Sequence, residues 1–251
     1  MCVVPSGAAL RSGAGLVRCA VPESLRQLFC PPFDALIFNA VPDEGKGFFT
    51  EAALPDILEH SEESDAVVLG PGIGTADETC QCVRELLQVP VPLVLDADGL
   101  TILSRYPQWA KREAPLILTP HPGEMRRLLT GFGLEEHMSS PRHVQACTLA
   151  EAADAWVAYK GLGTIIAAPD QRWAVNTTGN DGLASAGTGD ILAGLLGGFT
   201  AQGWPLWEAV SHAVCVHGLL GELAPNGTRS VVADDLLQTM PRVVKELTAF
   251  P

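Results

Sequence analysis

Five short apolar runs, each closed by turn residues, constrain the fold of this chain most strongly. They are GLVRCAV (15–21), ALIFNAV (35–41), DAVVLG (65–70), PLVLDAD (92–98) and PLILTP (115–120). Each lacks the strict alternation of a half-exposed strand and reads instead as a strand covered on both faces. Helix-length segments separate them. Residues 76–88, for example, carry Cys80, Val83, Leu86 and Leu87 at three-to-four spacing. This β–α alternation implies an α/β fold, a mostly parallel central sheet with helices on both faces. AWVAYKG, TIIAAP and RWAVN follow within 155–176, close enough to be hairpin-connected edge strands. The last third reads as helices over 190–201, 206–223 and 234–247. EEHMSSPRH (135–143) reads as an exposed polar loop, with Ser139 or Ser140 capping the next helix. No internal repeat or low-complexity linker interrupts the pattern, so residues 1–251 are expected to form one domain.

Composition narrows the functional classes. Apolar residues make up 47% of the chain and charged residues 18%, which suits a packed interior rather than disorder. A formal net charge of −13 disfavours nucleic-acid binding, which needs a basic footprint. The seven cysteines (2, 19, 30, 80, 82, 147 and 215) are odd in number and scattered through apolar segments, so reduced thiols are expected rather than a disulfide framework. Cys80 and Cys82 have no second ligand pair at zinc-like spacing, and no protein-held metal is expected from them. No run reaches the ~18 apolar residues of a membrane span. The N-terminus lacks a basic region followed by a long apolar stretch, so no secretory signal is expected and a cytoplasmic protein is.

In open α/β sheets ligands sit outside the carboxyl ends of the strands, so the strand-end motifs are where chemistry is sought. The stretch NTTGNDGLASAGTGDILAGLLGGF (176–199) holds seven glycines, a density that implies close backbone approach. Gly187, Thr188 and Gly189 precede an apolar helix, where unpaired amides and the positive helix end favour an anion. Asp190 then reads either as a first-turn carboxylate that complements the dipole or as a general base facing a held phosphoryl group; the Gly-Thr-Gly ahead of it favours the base. VLGPGIGT (68–75) is neither GxGxxG nor a P-loop, and reads equally as a tight turn or as amides touching a ligand. Of Asp96 and Asp98 in LDADGL, one can face the site while the other caps a helix. His121 lies between two prolines at a strand end, which favours ligand contact over a core role; Glu124 suits a helix first turn in any case. Lys160, in YKGLGTIIAAP (159–169), reads as an exposed hairpin lysine or as part of a loop over a nucleotide. His212 and His217, five apart on an apolar helix, read as ordinary core-edge histidines.

Together GAALRSGAGLV, GPGIGT, LDADGL, LTPHPGEMRRLL, KGLGT and NTTGNDGLASAGTGDILAGLL, in this order and spacing, resemble the NAD(P)H-hydrate dehydratase family, of ribokinase-like fold. The resemblance implies a hydro-lyase that repairs hydrated NADH and NADPH with ADP or ATP and Mg²⁺, phosphorylating the C6 hydroxyl and then eliminating phosphate. Bacterial-type members lean to ADP. It implies that Lys160, Gly161, Leu162, Gly163 and Thr164 line the adenine nucleotide together with Gly187, Thr188 and Gly189. It further implies that Gly72, His121, Asn180 and Asp190 contact the hydrated nicotinamide, Asp190 as base. No metal ligand set follows from it, and a homotetramer is the family's habit. Family members also begin with an additional strand and glycine-rich turn ahead of the AALR segment, so the chain is expected to be N-terminally short. Two other readings stand beside this one: a ribokinase-like kinase of the hydroxymethylpyrimidine or thiazole type, and a non-catalytic nucleotide-binding remnant.

Overall fold

A computed structural model describes residues 3–28, 35–224 and 230–248; Cys2 and Cys30 lie outside them. All five apolar runs are strands: β1 (Val17–Pro22), β2 (Leu36–Val41), β3 (Val67–Leu69), β4 (Leu93–Leu95) and β5 (Leu116–Leu118). The three edge runs are β6 (Trp156–Tyr159), β7 (Ile165–Ala167) and β8 (Trp173–Val175). β3 to β8 form a six-stranded sheet whose spatial order is their sequence order. β3 to β6 run parallel, β7 is antiparallel to β6, and β8 is antiparallel to β7, as hairpin connections require.

Alternate residues of these strands enter different layers, the period-two rule acting on strands buried on both faces. Leu93, Leu95, Leu116, Leu118 and Val157 join one apolar cluster. Helices α2 (Leu54–Glu62), α3 (Asp77–Leu86), α4 (Asp98–Arg105), α5 (Pro122–Gly131) and α6 (Arg142–Ala153) accompany that cluster. Val94, Ile117, Ala158 and Ile166 join the opposite cluster, with α1 (Val3–Arg11), α7 (Thr188–Ala201), α8 (Leu206–Leu223) and α9 (Ala233–Thr248). Among the described residues no helix is long and apolar enough to cross a membrane.

α7 runs buried along almost its whole length and explains part of the glycine density. A Cβ on Gly194 would sit 2.2 Å from the Pro5 carbonyl, and one on Gly198 1.8 Å from Ser12 Oγ, so these two glycines admit α1 against α7. Their close approach is to another helix and not to a ligand.

Two expectations change. Residues 135–143 include a 3₁₀ turn, Glu135–His137, and neither Ser139 nor Ser140 caps α6; its N-cap is Pro141, with no side-chain cap bond. Gln145 instead closes the segment by donating from Nε2 to the carbonyls of Met138 (2.9 Å) and Ser140 (3.0 Å). The reach of that amide from within the helix replaces the short serine cap. The sheet is also not continuous. β1 and β2 pair in parallel as a separate two-stranded sheet. Between β1 and β3 lies a cavity of about 640 Å³, walled by Val17, Val67, Ile57, Val83 and Gly197 among others.

Of the seven cysteines, Cys19, Cys80, Cys82 and Cys147 are buried free thiols, and Cys215 is a half-buried one. Burial pushes the Cys82 thiol up to about 11, which keeps it protonated and unreactive at neutral pH.

Candidate active site

Four chain segments converge at the carboxyl ends of β4, β5 and β6 and at the start of α7. β4 ends at Leu95, and the next residues turn sharply, with Ala97 at φ 50° and ψ −117°. That turn separates the two aspartates. Asp98 enters α4 and accepts from the Gly74 amide at 2.9 Å, which ties down the GPGIG loop. Asp96 is buried and points into the site. The turn also requires glycine directly after β3, because a Cβ on Gly70 would overlap the Asp96 carbonyl at 1.8 Å.

Asp96 Oδ1 accepts from the Thr119 hydroxyl and from Lys160 Nζ, each at 2.7 Å. These two partners offset the cost of burying a carboxylate this deeply. Lys160 is placed by its own backbone, whose N–H donates to the Pro120 carbonyl at 2.8 Å. Its Nζ also lies 3.8 Å from Glu124 Oε2. Burial raises the Glu124 carboxyl, and Lys160 and the His121 amide pull it back down.

His121 begins α5 as its N-cap. Nδ1 accepts from the amides of Gly123 (2.9 Å) and Glu124 (3.4 Å), while Glu124 Oε2 accepts from the His121 amide at 2.8 Å, a reciprocal capping box. The ring is half exposed, and its Nε2 lies 3.5 Å from Glu124 Oε1. Its rigidity therefore comes from the cap as much as from the flanking prolines.

α7 starts at Thr188 after Gly187, which stands at φ 85°, and no side chain caps its end. Thr188 is fixed from two sides: its hydroxyl donates to the carbonyls of Leu183 (2.6 Å) and Ser185 (2.8 Å), and His217 Nε2 donates to the Thr188 carbonyl at 2.8 Å. Burial holds His217 down at about 4, so the ring is neutral and acts as a donor from below the turn. Among the described residues the amides of Gly189 and Asp190 have no acceptor within the protein. A Cβ on Gly189 would lie 3.3 Å from Lys160 Nζ and 4.0 Å from Asp96 Oδ2. Free amides, the positive helix end and a lysine thus share one small space, the ingredients of an anion site.

Asp190 completes the cluster. Desolvation, and then the negative charge of Asp96, lift its carboxyl from the ordinary aspartate value to about 6, with Lys160 opposing the rise. A carboxylate poised near neutrality beside an anion cradle suits proton abstraction during transfer of a charged group.

Lys160, Gly189 and Asp190 therefore come together as the sequence implies, joined by Asp96, for which the sequence left two roles open. Gly161 to Thr164 form the turn leaving Lys160, and Leu162 is 90% exposed at its tip. Gly72 lies exposed in the loop after β3. The Asn180 side chain is engaged elsewhere, accepting from the Gly182 amide (3.0 Å) and donating to the Gly221 carbonyl (2.8 Å), so it builds the approach to α7. Thr119, Arg142 and His217 are site-building residues that sequence reasoning missed. The one available signal was Arg142, a cation in the first turn of a helix, where the dipole disfavours it. Its guanidinium donates to four carbonyls of the Lys160 turn.

Comparisons with known proteins identify the family. The family model described as NAD(P)H-hydrate dehydratase matches residues 3–242. A bifunctional NAD(P)H-hydrate repair enzyme of Salinibacter ruber is 40% identical over 250 residues, which cover 97% of this chain and 45% of that protein. The chain thus spans less than half the length of such bifunctional relatives. The ADP-dependent (S)-NAD(P)H-hydrate dehydratase of Bacillus subtilis is 33% identical, over 94% of this chain and 81% of its own length. A crystal structure of the ADP/ATP-dependent dehydratase from Bacillus subtilis, grown with ATP and Mg²⁺, superposes with a TM-score of 0.78 at 30% identity, covering 98% of this chain and 84% of that one. The fold is ribokinase-like, and the chain belongs to the NAD(P)H-hydrate dehydratase family.

Proposed function

We propose that this chain is a hydro-lyase that converts the S-form hydrates of NADH and NADPH back to the reduced dinucleotides, with ADP, or ATP in its place, as phosphoryl donor. The observation that carries the reading is Asp190, half-buried, lifted to about 6 and set beside Lys160 and the uncapped start of α7. In the proposed step Asp190 takes the proton of the C6 hydroxyl as its oxygen attacks the terminal phosphorus, and the bond from that phosphorus to the remaining nucleotide breaks. Phosphate then leaves C6 with the electron pair of the C6–O bond while C5 gives up a proton to solvent, and the C5–C6 double bond re-forms; phosphate is a far better leaving group than hydroxide. The free amides at Gly189 and Asp190 and the Lys160 ammonium stabilise charge on the transferred group. Lys160 to Thr164 and Gly187 to Gly189 bound the nucleotide side of the site, and Gly72 and His121 the dinucleotide side. Among the described residues no group of three or more His, Cys, Asp or Glu side chains is arranged to hold a metal. Magnesium enters with the phosphates in this reading.

The small-molecule kinase reading shares Asp190 and Lys160, and the family match weighs against it. One experiment separates the two. Chemically hydrated NADH is incubated with the protein, Mg²⁺, and ADP or ATP in parallel, while the absorbance of the reduced nicotinamide is followed. Recovery of absorbance that depends on nucleotide supports the dehydratase. A phosphorylated product that accumulates without recovery supports the kinase, and nucleotide binding with neither supports a non-catalytic protein. A cytoplasmic setting and a homotetramer belong to the same proposal. Exposed Trp173 and Val175 on edge strand β8 offer an apolar surface for self-association, and light scattering in solution gives the assembly mass.

A further inference from the structure

Six consecutive carbonyls at the β6–β7 turn are all engaged. The Arg142 guanidinium donates to those of Tyr159 (2.9 Å), Lys160 (3.1 Å), Leu162 (2.7 Å) and Gly163 (3.1 Å). The Thr164 hydroxyl donates to Gly161 O at 3.1 Å, and the Asn176 amide to Thr164 O at 2.9 Å. A trans peptide sets the N–H of one residue opposite the C=O of the residue before it. With the carbonyls of Lys160, Gly161 and Leu162 turned toward these donors, the amides of Gly161, Leu162 and Gly163 must turn away from them. Among the described residues none of those three amides has an acceptor within the protein. Gly161 and Leu162 are exposed.

The position of Arg142 is not one its own helix favours. It stands in the first turn of α6 against the dipole, its Nε is buried without a partner, and its guanidinium lies 4.6 Å over the Tyr159 ring. The carbonyl cluster of the turn, with the Tyr159 ring, accounts for it. The fit also excludes a side chain at residue 161, where a Cβ would sit 2.8 Å from Arg142 Nη2 on a backbone at φ 145°.

We infer that Arg142 is a positioning residue. By gathering the carbonyls of the turn it presents three adjacent amide donors outward, next to Lys160, and so sets the affinity for the adenine nucleotide rather than the rate of the chemical step. The inference rests on the dehydratase reading. A lysine cannot replace it, because one ammonium on a flexible stem cannot hold four carbonyls in a fixed fork.

The test titrates wild type, Arg142→Lys and Arg142→Ala with ADP and with ATP in the presence of Mg²⁺, and measures KM for nucleotide and for hydrated dinucleotide separately. Nucleotide Kd and KM are expected to rise about tenfold or more in both variants. kcat should stay within about threefold of wild type and the hydrate KM should not move. Should Arg142→Ala fail to fold, Arg142→Lys, which keeps the charge and most of the stem, carries the test with the same split expected of it. Unchanged nucleotide affinity in the folded variants overturns the inference. So do equal losses in both KM values, which mark a purely structural role. If wild type itself binds neither nucleotide, the dehydratase reading falls first and this assignment with it.

Discussion

Every residue of β4 and β5 is buried, Leu93 to Leu95 and Leu116 to Leu118 sending alternate side chains into the layers on either face. β2, in the two-stranded sheet, buries only Leu36 and Val41 and leaves Ile37 42% exposed. The chemistry follows that difference. Asp96, Thr119 and Lys160 leave the fully covered strands, where low polarity strengthens the Asp96–Lys160 contact and lifts Asp190. The ion pair beside the sheet break lies at the surface. Arg18 pairs with Glu63 at 3.0 Å, with side chains 34% and 57% exposed, and such pairs contribute only ~0–1 kcal/mol. A lateral run of strands with both faces covered is what lets this molecule hold charges in unusual states.

The largest expected effect is on turnover. Asp190→Asn should cut kcat by about 10² to 10⁴ while nucleotide binding persists, the range for loss of a positioned base. The same change should raise stability. A carboxyl held near 6 in the folded chain and near 3.8 in the unfolded one binds its proton more readily when folded. Folding is therefore favoured as pH falls from neutral through 6 toward 4, and the ionised form opposes it above that window by up to about 3 kcal/mol. Denaturant melts at neutral pH and near pH 5 should show Asp190→Asn gaining most at the higher pH. Wild-type kcat/KM should fall below about pH 6 with a slope of one proton. Stability that does not respond, or an acid limb left unchanged in the variant, would detach Asp190 from the chemistry.

Next in size is the contrast between the two ion pairs. Lys160→Met leaves Asp96 buried with only the Thr119 hydroxyl, and should cost about 3–5 kcal/mol. Arg18→Met, at the exposed pair, should cost less than about 1 kcal/mol. Urea midpoints of the two variants against wild type give the comparison, and equal losses would show that the covered half of the sheet confers no special environment. A double variant, Lys160→Met with Asp96→Asn, should recover part of the loss, because the stranded charge is gone.

Much of this was legible in the sequence because it is local. The apolar runs between turn residues mark β1 to β8 within a few residues, and residues 206–223 coincide with α8. The Gly-Thr-Gly ahead of Asp190 locates a helix start by its need for free amides. What the sequence could not show depends on neighbours far along the chain. The Asp96–Lys160 pair joins residues 64 apart, and it exists only because β4, β5 and β6 lie side by side. α1 carries a proline and several small residues, VVPSGAALR, and is helical in a setting where Gly194 and Gly198 let it dock on α7. Asn180 reads as a ligand contact by its place in a motif, yet its amide serves Gly182 and Gly221. The interruption between β1 and β3 leaves no mark in the periodicity of either strand.

The smallest predicted effect bears most directly on that interruption. Leu95, 0% exposed, is packed on all sides, whereas Ile57 is 8% exposed and already walls the cavity beside β1. Truncating a side chain in a filled core costs the lost transfer energy plus a term for the new void, together about 2–5 kcal/mol for Leu→Ala. At a wall that already faces open space the void term is mostly absent. Ile57→Ala should therefore cost less than Leu95→Ala by about 1 kcal/mol or more, measured as urea midpoints with unchanged m-values. Equal costs would mean that the cavity is closed in solution and that the two-stranded sheet packs against β3 as tightly as β4 packs against β5.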